Sequence, residues 1–207
     1  MLNWNTPFKI WLADKCLVFS GFLNHTGWCK NSEFQKGELF IKESEICRHL
    51  IFIHHGIFRY YLLHEGQDFT KDFAVDTQNP FCTSYTSFML QKPSEIWIEA
   101  LGPCQVWLWN KSDVLPLFQE NLNWLRFAKA IADQLFYRKE QKELELLKCS
   151  SEERYRHFLI DFPGLSQRVP QYHIATYLGI TPESLSRIRS KLSKISWAKI
   201  HPDSQST

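Results

Sequence analysis

Long apolar runs are missing from this 207-residue chain. No stretch approaches the ~18 apolar residues that a helix needs to cross a bilayer. Closely spaced cysteines are missing too. The six stand at positions 16, 29, 47, 82, 104 and 149, no two nearer than 13 residues. That spacing excludes the C-x-x-C pairs used for structural zinc, iron–sulfur clusters and dithiol redox work. No phosphate-loop glycine pattern occurs, and no local motif suggests a Ser/His/Asp set. The reading is therefore of a protein without enzyme activity and without a cofactor. The N-terminal stretch lacks the uninterrupted apolar core and small-residue cleavage site of a signal peptide, since Lys9, Asp14 and Lys15 interrupt it. The chain reads as cytoplasmic, with reduced thiols serving mainly as core filler.

What is present is core-forming material. Apolar residues make up 44% and aromatics 15%, which excludes disorder for most of the length. Net charge is only +2, but it is unevenly spread. Residues 1–115 carry −2, residues 116–207 carry +4, and the window 162–200 alone carries +5. A local cationic patch of this kind is what a nucleic-acid module needs.

Three textures divide the chain. Residues 1–32 read as mixed and helical. From about 34 to 110, short runs rich in β-branched and aromatic residues are cut by turn formers: HLIFI (49–53), IFRYYLL (57–63), DFTKDF (68–73), SYTSFML (84–90), EIWIEAL (95–101) and CQVWLW (104–109). Their spacing predicts an all-β barrel or sandwich. From Pro116, apolar residues at three- and four-residue steps (Phe118, Leu122, Leu125, Ala128, Ile131, Ala132, Leu135, Phe136) predict one helix of some 30 residues. Such a helix can pack on its own barrel or pair with a second copy, and the second use is favoured. The pairing face expected is Leu125, Ala128, Ala132 and Leu135. Ser150-x-x-Glu153 is a capping box, which starts a new helix and a new domain. The domains expected are thus 1–115, 116–149 and 150–207, with a hinge about residues 148–151.

The most informative segment is PQYHIATYLGITPESLSRIRSKLS, residues 170–193. Ala175 lies four residues before Gly179, so a small residue permits close helix approach and a glycine takes the turn. Ile174, Leu178, Ile180, Leu185 and Ile188 form the inward set of two crossing helices. Thr181-Pro182 supplies an N-cap and first-turn proline. Glu183, Ser184, Ser186, Arg187, Arg189, Ser190 and Lys191 are left outward. This is a helix-turn-helix with a cationic face, and double-stranded DNA is the partner expected. Glu183, Ser184 and Arg187 are the base-reading candidates, Arg187 for guanine and Glu183 for a cytosine amino group. Gln171, Tyr172, His173, Thr181, Arg189 and Lys191 are the phosphate candidates. Two-fold pairing would match an inverted-repeat operator. The alternative is a sensing β-domain whose helical tail binds a protein instead.

His54, His55 and His64 raise a cupin-like metal site. Adjacent histidines on a strand face opposite ways, and no histidine occurs between 64 and 157 to complete a set. No metal is expected.

VPQYHIATYLGITPESLSRIRSKL resembles the C-terminal helix-turn-helix of the Crp/Fnr family of bacterial transcription regulators. FQKGELFIKESEICRHLIFIHHGIFRYYLL resembles that family's opening β-roll strands, KPSEIWIEAL its penultimate strand and SSEERYRHFL the helix opening its DNA-binding domain. The likeness spans about residues 25–195 and is strongest to the subgroup common in Bacteroidetes. It implies an α+β fold: an N-terminal double-stranded β-helix (a cyclic-nucleotide-binding-like, cupin-like β-roll), a long dimerisation helix and a C-terminal helix-turn-helix domain. It implies a homodimeric regulator, with RNA polymerase as a possible further partner and the effector unknown. Cyclic-nucleotide binders of the family place an Arg and a Ser/Thr on the phosphate. Here Ser94 and Glu95 stand at those positions, and Arg138 and Lys139 stand near the family's adenine contacts. A carboxylate where a cationic fork is required repels a phosphate, so cAMP is not expected as effector. Any pocket would lie among Phe81, Tyr85, Phe88, Ser94, Glu95 and Trp97, unless these aromatics simply fill it.

Overall fold

The structure, a computed structural model, describes the backbone of residues 30–200. The helix expected in 1–32 lies almost wholly outside that range, and Lys30–Ser32 are strand. Two compact units are distinguished. One comprises residues up to Leu62 together with Lys71–Asp133; the other comprises Leu63–Thr70 and residues from Gln134 onward.

Eight strands make a double-stranded roll, all in the first unit except the tip of the β4–β5 hairpin: β1 (Lys30–Phe34), β2 (Leu39–Ile41), β3 (His49–His55), β4 (Ile57–His64), β5 (Gln67–Val75), β6 (Phe81–Cys82), β7 (Trp97–Ala100) and β8 (Cys104–Asn110). Two four-stranded sheets result, in the orders β1-β8-β3-β6 and β2-β7-β4-β5. Period-two alternation decides what enters the roll. Ile51, Ile53, Phe58, Ile98, Ala100, Cys104 and Val106 point inward and are nearly inaccessible to water. Their strand neighbours, among them Phe52, Arg59, Trp97 and Trp107, take the outer faces.

Between β3 and β4 the chain reverses at Gly56, whose φ is +118°. A Cβ there would lie 2.9 Å from the Cys104 Cα and would also strike its side chain. Both the dihedral and the close strand approach thus require glycine. Gly56→Ala is expected to lower stability by about 3 kcal/mol, from backbone strain plus overpacking. Urea unfolding should show a lower midpoint with unchanged slope.

The run at 84–90, expected as strand, is instead a short helix, α1 (Tyr85–Leu90). The Phe88 N–H donates to the Ser84 carbonyl at 2.7 Å and the Gln91 N–H to that of Ser87 at 2.9 Å. Helical spacing buries Ser87 and Phe88 and leaves Tyr85 and Met89 outside, a division that strand alternation would have broken. The long helix is also divided. It begins as α2 (Lys111–Glu120), breaks at Asn121 and continues as α3 (Leu122–Lys148). Pro116 lies inside α2 rather than starting a helix, and its missing N–H leaves the Ser112 carbonyl without its intrahelical bond. Trp109, Val114, Trp124 and Phe127 form a second cluster against the outer face of β3 and β8, with the Phe81 and Phe127 rings 5.7 Å apart.

The second unit holds α4 (Ser151–Asp161), α5 (Leu165–Arg168), α6 (Gln171–Leu178) and α7 (Pro182–Ile200). The capping box opens α4 as expected: Ser150 Oγ accepts from Glu153 N–H and Glu153 accepts from Ser150 N–H. Phe158, Phe162, Leu165, Ile174, Ala175, Leu178 and Leu185 make its core. Among the described residues no helix is long and apolar enough to cross a membrane.

Candidate nucleic-acid interface

The crossing of α6 and α7 depends on two small residues. Ala175 is fully buried, where any larger side chain would push the helices apart. Gly179 adopts φ 66°, ψ 38° and closes α6. The Ile180 N–H donates to the Ala175 carbonyl at 3.0 Å and the Gly179 N–H to that of Thr176 at 3.2 Å, the two bonds of a Schellman motif. A residue later, Thr181 Oγ1 accepts from the Ser184 N–H at 3.3 Å and so caps α7. The turn of the motif is therefore hydrogen-bonded on both sides, and the direction in which α7 leaves it is set.

Leu185 is turned into the core, while Glu183, Ser186, Arg187, Arg189, Ser190 and Lys191 are exposed. Glu183 and Arg187 are one turn apart on the same stripe, and Ser186 and Ser190 adjoin them. Glu183's own backbone N–H and the Thr181 hydroxyl hold its carboxyl below the usual range, with Arg187 adding to the effect. It stays an ionised acceptor at neutral pH. Ser184 is half-buried, and its Oγ accepts from the Thr181 hydroxyl at 3.2 Å, so this base-reading candidate is committed to the cap. Ser186, which is not among the base-reading candidates, is exposed beside Glu183 and Arg187, and its helical spacing from them is the signal in the sequence that places it there.

The phosphate candidates divide. Thr181, Tyr172, Arg189 and Lys191 are exposed. Gln171 is half-buried, with Nε2 donating to the Ser166 carbonyl at 3.2 Å. His173 is 3% exposed, so its ring cannot meet a phosphate. The reason is helical phase: His173 precedes Ile174 and Ala175 on the inward arc of α6. Lys191 Nζ lies 2.6 Å from Glu152 Oε2, and the other oxygen of Glu152 is 2.9 Å from Arg156. Those two cations hold the Glu152 carboxyl below its ordinary range.

The residues expected around a ligand pocket do not converge. Phe88 and Ser94 alone turn inward. Phe88 fills the roll among Ile51, Ile98 and Cys82, and Ser94 is bonded to Ser84 Oγ at 2.9 Å and to the Ile96 carbonyl at 2.8 Å. Phe81 packs outside against Phe52 and Phe127. Trp97 stacks outside on Tyr61 at 6.1 Å, and Tyr85 and Glu95 face solvent. Strand parity explains this: Ile98 and Ala100 point in, so Trp97 and Glu99 must point out. Lys111 Nζ lies 5.7 Å from the centre of the Phe88 ring and donates to the Met89 carbonyl at 2.9 Å. Arg59, 2% exposed, lies on the outer face, where its Nε is 2.9 Å from Glu99 Oε1 and its guanidinium covers the Tyr61 ring.

On α3, Leu125 is half-exposed while Ala128, Ala132 and Leu135 are half-buried. The exposed large apolar residues of α3 are Leu122, Leu125, Phe136 (70% exposed), Tyr137, Leu146 and Leu147 (83%). Of these, Leu125, Phe136 and Leu147 fall with Ala132 within about 60° of helix circumference. The open stripe therefore passes through Phe136 rather than Leu135.

No family model matches the sequence, and no curated protein matches it. Solved structures do match. FixK2 from Bradyrhizobium japonicum is 20% identical with TM-score 0.72, over 81% of this chain and 86% of that one. CLP, the c-di-GMP-responsive global regulator of Xanthomonas campestris, is 15% identical with TM-score 0.64, over 86% and 93%. A transcriptional regulator of the Crp/Fnr family from Eubacterium rectale is 17% identical with TM-score 0.61, over 84% and 79%. With its roll, long helix and terminal helix-turn-helix in the same order, the chain has the fold of the Crp/Fnr-type regulators.

Proposed function

We propose that this protein is a homodimeric, sequence-specific DNA-binding regulator of transcription, without enzyme activity, acting in the cytoplasm. The observation that carries the reading is the stripe of Glu183, Ser186 and Arg187 on a helix whose cap, turn and inward residues are all in place. A fixed carboxylate and a guanidinium one turn apart offer an acceptor to a cytosine amino group and a fork to guanine O6 and N7. Arg189, Lys191, Thr181 and Tyr172 flank them and supply contacts to the backbone. Pairing along Leu125, Ala132, Phe136 and Leu147 would present two such helices about one turn of DNA, ~34 Å, apart, so the operator is an inverted repeat.

The same reading holds that the roll does not take cAMP or cGMP. Its interior is filled by Phe88, Ser84 and Ser94 are bonded to each other, the buried Arg59 faces outward onto Glu99, and Lys111 beside the Phe88 ring donates to the Met89 carbonyl. An uncompensated phosphate charge in that interior costs several kcal/mol, enough to erase micromolar affinity.

Fluorescence anisotropy with the protein's own upstream DNA and with genomic fragments at low salt tests the reading. Binding should weaken steeply as salt rises, because neutralised phosphates release counterions. Arg187→Ala should cost ~1–3 kcal/mol and relax preference at one base pair per half-site, whereas Lys191→Ala should weaken all sequences alike. Binding-site selection with both variants distinguishes the two effects. No binding to any DNA, with capture of a protein instead, would favour the helical tail as a protein-binding module.

A further inference from the structure

We propose that the joint between α3 and the helix-turn-helix is locked, so that α3 from Gln134 to Lys148 belongs to the body that carries the recognition helix. The interruption between helices at Cys149–Ser150 looks like a hinge, because one helix ends and a capped helix begins there. The contacts around it are those of a clamp. Lys142 Nζ lies 3.6 Å from the centre of the Tyr177 ring, on α6. One turn earlier, the Arg138 guanidinium lies 5.4 Å from the centre of the Phe162 ring, at the end of α4. One turn later, Glu145 Oε1 lies 2.8 Å from His157 Nδ1. Three successive positions on one face of α3 thus each hold a different point of the domain beyond the break.

Arg154 spans the break itself. Its Nη1 donates to the Cys149 carbonyl at 2.8 Å, and its Nε donates to the Leu178 carbonyl at 3.1 Å. One guanidinium therefore occupies a carbonyl at the C-terminus of α3 and one at the C-terminus of α6. Leu146 lies close to Gly179 at the turn of the motif. Residues from Gln134 onward form one compact unit with the helix-turn-helix, as such a clamp requires.

The consequence concerns how a change of state would reach DNA. A loose joint at 148–151 would let the recognition helix reorient while α3 stays still. A locked joint makes the last four turns of α3 a lever fixed to α7, so a rotation of α3 rotates the recognition helix with it. Any regulatory change must then act on α3 before Gln134.

Pulsed dipolar spectroscopy with spin labels on ketone-bearing amino acids at Glu140 and Gln167, both exposed, tests this directly. Labelled chain is mixed with excess unlabelled full-length chain, so that only distances within one copy are read. One narrow distance is expected in the free protein, unchanged on adding its upstream DNA. In the Arg138→Ala/Lys142→Ala double variant the distribution should broaden. A broad or two-component distance in the unsubstituted chain, or one that shifts on DNA, overturns the proposal, as does a double variant as narrow as its parent. The free-state distance is read whether or not DNA binds, so failure of the DNA-binding reading would appear separately, as an absent anisotropy change.

Discussion

On the pairing proposed above, Phe136→Asp is expected to leave the single chain folded, to make it monomeric at micromolar concentration and to weaken DNA binding by about 10²–10⁴-fold. Phe136 is 70% exposed within one chain, so the substitution removes little intramolecular packing. Across a two-fold axis the same residue would be buried against its twin, and two uncompensated carboxylates would face each other there. The large loss on DNA arises because the second recognition helix no longer binds as part of the same molecule. Sedimentation velocity with thermal unfolding checks both halves of the expectation. A variant that remains dimeric places the interface on another face. Leu135 serves as a contrast. It is half-buried within the chain, so Leu135→Asp should lower the unfolding temperature of the monomer itself.

Phe88→Ala should destabilise the roll by about 3–5 kcal/mol, the usual cost of removing a buried ring that neighbours cannot fully replace. Phe88 is 3% exposed and packs with the interior cluster of Ile51, Ile98 and Cys82. Chemical denaturation reads the loss. The void left behind is apolar and stays dry, so a benzene-sized molecule should recover part of the stability. A cyclic nucleotide should not, because its phosphate would lose water in an apolar space while Lys111, beside the Phe88 ring, is already bonded to the Met89 carbonyl. Calorimetry with cAMP and cGMP on parent and variant is expected to show no binding. A dissociation constant at or below about 10 μM for either would overturn the reading of a closed roll.

The helix-turn-helix was legible in the sequence to the level of single bonds. Ala175, Gly179 and Thr181 act locally: a small residue, a left-handed turn and a cap each exert their effect within four residues of chain. The structure meets them as expected, at φ 66° for Gly179 and with the Thr181 cap in place. The capping box at Ser150 was legible for the same reason. The ligand pocket was not. Phe81, Tyr85 and Trp97 are aromatic residues in a β region, and nothing in that composition distinguishes the two faces of a strand. A shift of one residue in parity moves an aromatic from the interior to the outside.

The amino-acid sequence by itself determined the order of a β region, a long helix and a capped helix-turn-helix, because alternation, periodicity and capping are short-range effects. It also determined that the segment holding α7 is basic. Only the tertiary structure decided that Phe88 closes the roll, that His173 is turned into the core and that Phe136 instead of Leu135 lies on the open stripe of α3. It alone placed Lys142 on Tyr177 and Arg154 across the break at Cys149. These depend on which neighbour arrives from far along the chain, and a residue's environment is set by that neighbour as much as by its own chemistry.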